Sequence, residues 1–318
     1  MTIAHWDDAP RELYEAGPLA GHWTDLGSAA GSVTVGVNRV EILPGKRSTP
    51  VHSEGEEEEI FYVLGGSGLS WQEGETYEVG PGDCLVHLAS QQTHTLVAGE
   101  EGLEVLAFGM RAYAEMGYLP RAGVMRHGRA TIDLSPDDRH PWEREAAAGE
   151  LELPPPSPRP PRIVNFADVP VKERDGATVA CRRRDLGRAA GSERTGLKHL
   201  TVPAGKLNVP PHCHSAEEEL FVVLDGGGTL ELTPSPDASS DGIEPSAYEV
   251  RRGSVVARPA GTGIAHAFRA GPGGLTLLAY GTREPNDICY YPRSRKVFWR
   301  GVGFIGRIDH IDYWVDED

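Results

Sequence analysis

The clearest apolar run in the chain, Leu220-Phe221-Val222-Val223-Leu224, opens on Glu219 and stops at Gly226 to Gly228, the pattern of a strand closed by a glycine turn. Just before it, His212-Cys213-His214 reads as a second extended segment. Side chains on a strand alternate between faces, so His212 and His214 share one face and Cys213 takes the other, as packing rather than as a nucleophile. A strand beginning at Glu219 returns a carboxylate toward the two imidazoles. A further imidazole, His266, lies in the glycine- and proline-punctuated stretch Pro259 to Phe268. Near the end, Val297 to Arg307 is apolar and broken by glycines, which predicts one more strand closing or packing between larger units, with a homodimer interface as its alternative use.

The pattern occurs twice. Aligned with itself at an offset of about 160 residues, the chain shows about twenty identities over Asp25 to Gly68 against Asp185 to Gly228, which marks two copies of one unit. Asp25-Leu26-Gly27 returns as Asp185-Leu186-Gly187, and Glu57-Glu58-Glu59 as Glu217-Glu218-Glu219. Weaker matches at Ile3, Asp8 and Pro10 against Ile163, Asp168 and Pro170 extend the repeat to the entry of each copy. A Ser/Pro/Asp-rich insert, Thr233 to Asp241, predicts a longer hairpin tip in the second copy. Beyond it the register recovers, with Tyr118, Pro120 and Arg121 matching Tyr290, Pro292 and Arg293. The units are therefore 1–136 and 163–318. Between them 137–162 carries Pro154-Pro155-Pro156, Pro158, Pro160 and Pro161, which predicts a stiff, exposed linker, with a short helix over Pro141 to Leu151.

Composition sharpens this to an all-β chain. The 39 glycines and 25 prolines suit many short strands and turns. With 47 acidic against 31 basic residues and a formal charge of −16, the chain would be repelled by nucleic acid and by anionic membranes, which leaves a small-molecule substrate or other proteins as partners. The four cysteines form no CxxC pair, and the start of the chain lacks the basic and apolar regions of a signal peptide, so a cytoplasmic setting is expected.

Gly205, His212, His214, Glu219 and Gly226 resemble the first motif of the cupin family, G-x5/6-H-x-H-x3/4-E-x6-G. Gly253, Pro259, Gly261 and His266 resemble its second motif, with two extra residues before the histidine. The resemblance implies two tandem jelly-roll barrels, a bicupin similar to the group that includes flavonol and gentisate-type dioxygenases and oxalate decarboxylases. It also implies that His212, His214, Glu219 and His266 hold a divalent transition metal: manganese, iron, nickel, cobalt, copper or zinc. Three neutral imidazoles and one carboxylate would leave such an ion a net charge near +1 and, if it is six-coordinate, two positions for substrate or dioxygen.

In the first copy, His52, Glu59 and His94 sit at the corresponding places, but Glu54 stands where His214 stands in the second. Either Glu54 is an oxygen ligand, so that His52, Glu54, Glu59 and His94 take a harder ion, or the carboxylates repel one another, a pKa rises and the pocket stays empty. The second copy is then the expected seat of chemistry, with Glu219 as ligand and proton acceptor. Glu56 to Glu58 read as a solvated charged turn. His87 and Arg258 occupy matching positions, Arg258 facing either a substrate anion or solvent. The function these readings favour is a metal-dependent oxidoreductase of the dioxygenase type. A non-enzymatic small-molecule binding cupin, and a metal-dependent isomerase or decarboxylase, are the alternatives.

Overall fold

The computed structural model describes residues 3–128, 130–311 and 313–316, so Met1, Thr2, Arg129, Asp312, Glu317 and Asp318 lie outside the described residues. Each copy builds one eight-stranded antiparallel sheet that curls into a jelly roll, as expected for tandem cupin barrels. In the first copy, the long strand Glu59–Gln72 lies between Asp83–His87 and His94–Met110, and the sheet continues through Val35–Ile42, Leu19–Asp25 and Glu12–Ala16. In the second, Glu219–Pro234 lies between Ser254–Arg258 and Ile264–Thr282, followed by Thr195–Val202, Ala180–Asp185 and Val171–Asp175.

The long strands bend where the first motif ends in glycine. Pairing shifts between Gly66 and Gly68, and again between Gly226 and Gly228. Gly66 and Gly226 have φ of 73° and 70°. A Cβ at either would fall 2.1 Å from the Gly102 carbonyl oxygen or 2.3 Å from that of Gly274, so only glycine lets the strand pass. Inside each barrel the alternate apolar positions pack together: Val40, Phe61, Val63, Leu85, Leu96 and Val105 in the first, and Leu200, Phe221, Val223, Val256, Phe268 and Leu277 in the second.

The halves are interleaved. Ile3–His5 pairs antiparallel with Ser254–Arg258 of the second half, and Ile163–Asn165 pairs with Asp83–His87 of the first. A third apolar core joins the barrels, drawing Leu26, Val37, Ile60 and Phe108 together with Leu186, Leu197, Leu220 and Tyr280. The faint repeat at Ile3 and Ile163 thus marks two exchanged strands.

Two expectations are corrected here. Glu58 does not belong to a solvated turn: it is 1% exposed, and its carboxylate accepts from the backbone N–H groups of Glu193 and Thr195 and from the Thr195 hydroxyl, across the interface. Its counterpart Glu218, also 1% exposed, accepts from the N–H groups of Val33 and Thr34 and from the Thr34 hydroxyl. A buried carboxylate is tolerated when several donors replace its water, and only the facing half supplies those donors.

The linker, in turn, is not wholly exposed. Its helix, Pro141–Ala147, buries Arg144 and Glu145, and Glu145 accepts from Arg47 at 2.6 Å and from Arg121 at 2.8 Å. Trp142, beside it, packs on Tyr14 and Trp23 with ring centroids 5.9 and 5.6 Å apart. The insert in the second copy forms a hairpin tip with one helical turn, Pro236–Ser240. The apolar end forms two strands, Lys296–Trp299 and Phe304–Arg307, which extend a small sheet beginning at Cys213–His214 and Ile288–Tyr291. Among the described residues no helix is long and apolar enough to cross a membrane.

Candidate metal centres

In the second half, four side chains from three segments converge. The Nε2 atoms of His212, His214 and His266 lie 3.8, 3.3 and 3.0 Å from one carboxylate oxygen, Oε2 of Glu219. Backbone pairing of His212 with His266 sets two of these rings side by side. Nδ1 of His212 lies 3.0 Å from the Pro210 carbonyl, which can only accept, so Nδ1 carries the proton and Nε2 presents its lone pair. Nδ1 of His214 meets Asp287 Oδ2 at 2.7 Å. Glu219 Oε2 and His266 Nε2 are buried without a hydrogen-bond partner, although they lie so close. Unpartnered buried donor atoms aimed at a common point fit a divalent cation, which would satisfy all of them at once. The residues present therefore suit the metal that the motif implies.

The carboxylate of Asp287 also receives the backbone N–H groups of Ala216 and Glu217 at 3.0 and 3.2 Å, so it ties the His214 ring to the turn before Glu219. Although burial opposes charge on His214, Glu219 and Asp287 outweigh it and hold its pKa well above the usual histidine value in the ion-free protein. His212 goes the other way, down to about 3, because burial and then the neighbouring His266 disfavour a second cation.

The first half brings His52, Glu59 and His94 together, with donor atoms within 4.8 Å of one another. His94 Nε2 meets Glu59 Oε2 at 3.0 Å, and His52 Nε2 lies 3.6 Å from both Glu59 and Glu54. Burial, followed by repulsion from Glu59, pushes Glu54 up to about 8. Burial also acts against ionisation of Glu59, but His52 and His94 outweigh it and hold its pKa below the usual range. Glu115 grips the turn here as Asp287 does in the other half, accepting from the N–H groups of Gly55, Glu56 and Glu57. With glutamate at position 54, however, Glu115 has no imidazole to orient. Arg258 and His87 both point inward: Arg258 donates to the Ile264 carbonyl at 2.8 Å, and His87 stacks on His94 at 3.8 Å.

The two centres differ most at their mouths. Cross-strand pairing sets Cys289 opposite His214, and Tyr291 lies over His212 with ring centroids 5.6 Å apart. Sγ of Cys289 is 3.9 Å from both ring nitrogens of His214, and Arg300 binds Glu217 and approaches Asp287 at 3.5 Å. In the register of Tyr118 with Tyr290, the first half carries Gly117, Leu119 and Gly128 in place of Cys289, Tyr291 and Arg300. A cleft of about 510 Å³ opens there, reaching His52, Glu54 and Glu59 and walled by Glu57, Glu115, Arg126 and Trp142. Sequence reasoning missed Asp287, Cys289, Tyr291, Arg300, Arg126 and Trp142. The repeat register held the signal for Asp287, since it pairs Glu115 with Asp287 three residues before the matched tyrosines.

Residues 38–109 match the family model described as cupin domain. In fold the chain is similar to oxalate decarboxylase from Bacillus subtilis. The structure of that enzyme at pH 4.6 aligns with a TM-score of 0.60 at 16% identity, covering 88% of this chain and 75% of the other. A deletion mutant of the same enzyme aligns at 0.59 with 17% identity, and a form studied for its Mn(II) centres at 0.59 with 16%, each covering 88% of this chain and 76% of the other. No curated protein matches the sequence. The chain is thus a bicupin resembling oxalate decarboxylase, with a metal-type donor set in each barrel.

Proposed function

We propose that the protein is a metal-dependent enzyme acting on a small organic substrate, and that the substrate enters the first barrel. The carrying observation is the open cleft that ends on His52, Glu54 and Glu59, where the second mouth is covered by Tyr291, Cys289 and Arg300. A divalent ion held by His52, Glu59 and His94 supplies Lewis acidity and, if it is a redox metal, electron transfer. Glu54, beside His52 but outside the three converging donors, is the carboxyl available to take or return a substrate proton. It takes over the part first expected of Glu219, whose carboxylate lies among the imidazoles of the covered site and keeps a ligand's role.

The reaction we favour is oxygen-dependent cleavage of the dioxygenase type. A second reading, decarboxylation, is supported by the fold of the oxalate decarboxylase structures. Purified protein loaded with iron or manganese, offered a panel of enolic, phenolic and carboxylic substrates, separates the two. Oxygen uptake supports the first, carbon dioxide release without net oxygen uptake supports the second, and neither, across the panel, overturns the enzymatic reading in favour of a binding protein.

A further inference from the structure

The cleft of the first barrel has a charge pattern and a wall that bear on what enters it, and this inference rests on the functional reading above. Four carboxylates line it: Glu54, Glu57, Glu59 and Glu115. Two guanidinium groups reach it. Arg111 is committed elsewhere, donating to the Ser32 carbonyl at 2.7 Å and the Ser28 hydroxyl at 2.9 Å, with Asp25 at 3.6 Å. Arg126 makes no hydrogen bond or ion pair among the described residues. It stands cross-strand from Gly117, where a Cβ would lie 3.3 Å from Glu54 Oε2, so its side chain rises from the rim directly beside the donor set.

Opposite the acidic wall is an aromatic one. Trp142 lines the cleft and is held in a cluster with Tyr14 and Trp23, in which centroid separations run from 5.5 to 5.9 Å. The helix that carries Trp142 is pinned by Glu145 between Arg47 and Arg121, so the indole is a fixed surface. Arg126 and Trp142 also line a second, adjoining cavity of about 720 Å³, which places both at the junction of the two spaces.

We infer that this cleft takes a planar aromatic monocarboxylate of the hydroxybenzoate class, its carboxylate on Arg126 and its ring against Trp142. A single free cation matches a single negative charge in bidentate fashion. A second carboxylate on the ligand would meet the four glutamates, and like charges at close quarters oppose binding. A volume of about 510 Å³ falls in the range of pockets for drug-sized ligands, ~300–1,000 Å³, and a two-carbon dianion would fill little of it. The linker helix is therefore part of the binding site, a role its sequence did not suggest.

The test is calorimetric titration of the full chain, loaded with manganese, with 2-hydroxybenzoate, phenol and oxalate. The hydroxybenzoate should bind at least about tenfold more tightly than oxalate or phenol. Arg126→Gln should weaken the hydroxybenzoate by about tenfold and leave phenol unchanged, whereas Trp142→Leu should weaken both by about tenfold. Manganese content should be unaltered in both variants, which shows that each has folded. Oxalate binding as tightly as the hydroxybenzoate, no hydroxybenzoate binding at all, or an affinity insensitive to both substitutions would overturn the assignment. The underlying metal-site reading fails separately: if His52→Ala with His94→Ala leaves manganese content unchanged, that reading falls, while the ligand assignment stands or falls on the two rim variants.

Discussion

The two barrels repeat one another in backbone and diverge in what surrounds the metal donors. The second has the fuller ligand set, three imidazoles and a carboxylate, with His214 oriented by Asp287, yet Tyr291 and Cys289 lie across its mouth. The first has the poorer set, with Glu54 in place of the third imidazole, and an open cleft. Ligand quality and access have separated: one barrel suits tight retention of an ion, the other contact with a substrate. A motif match alone would favour the second barrel as the reactive one, whereas the residues above the donors favour the first.

The comparison breaks most readily at the ligands. His212→Ala with His214→Ala should abolish tight metal binding in the second barrel, since two of four donors go. Elemental analysis should show that site lost and the first unaffected, and undiminished metal in the double variant would refute the assignment. Next in size is the interface shared by both halves. Glu58→Ala or Glu218→Ala strands several buried N–H groups and should cost about 3 kcal/mol each. Denaturant unfolding should give similar losses for the two, whereas a large loss for one alone would show that the clasp is not reciprocal.

Asp287→Asn removes the charge that orients His214 and should weaken second-site metal binding by about 10–100-fold. Glu115→Gln, its counterpart, should change first-site affinity far less, because Glu115 touches no imidazole ligand. Equal effects in competition titrations with a chelator would remove this distinction.

The smallest effects concern Glu54 and pH. A carboxyl raised to about 8 in the folded, ion-free protein, against ~4.3 unfolded, binds its proton more tightly when folded. It therefore withdraws stability as pH rises through that window, and first-site metal uptake should strengthen over the same range, by several-fold between pH 6.5 and 8.5. Glu54→His should flatten this dependence and shift the preference from manganese toward zinc or copper. Wild-type uptake that does not vary with pH, measured by manganese titration, would show that Glu54 is already ionised.

Much of this molecule is written locally. Strand periodicity, the repeat and the turn glycines specify two jelly rolls, because alternation and positive φ are properties of a few neighbouring residues, as Gly66 and Gly226 show. The histidines and glutamates of the donor sets were legible for the same reason, their spacing along one or two strands being enough to bring them together. What the sequence left undetermined depends on residues far apart in the chain. Glu58 and Glu218 looked like members of a charged turn until the opposite barrel supplied their donors. Asp287, Tyr291 and Arg300 lie about 70 to 90 residues beyond the ligands they touch, and Trp142 belongs to a segment whose prolines announce only a linker. Whether a donor set is open or covered is set by the side chains that pack above it. Those contacts are made between segments whose separation in sequence carries no periodic signal, so only the tertiary structure decides which barrel a substrate can reach.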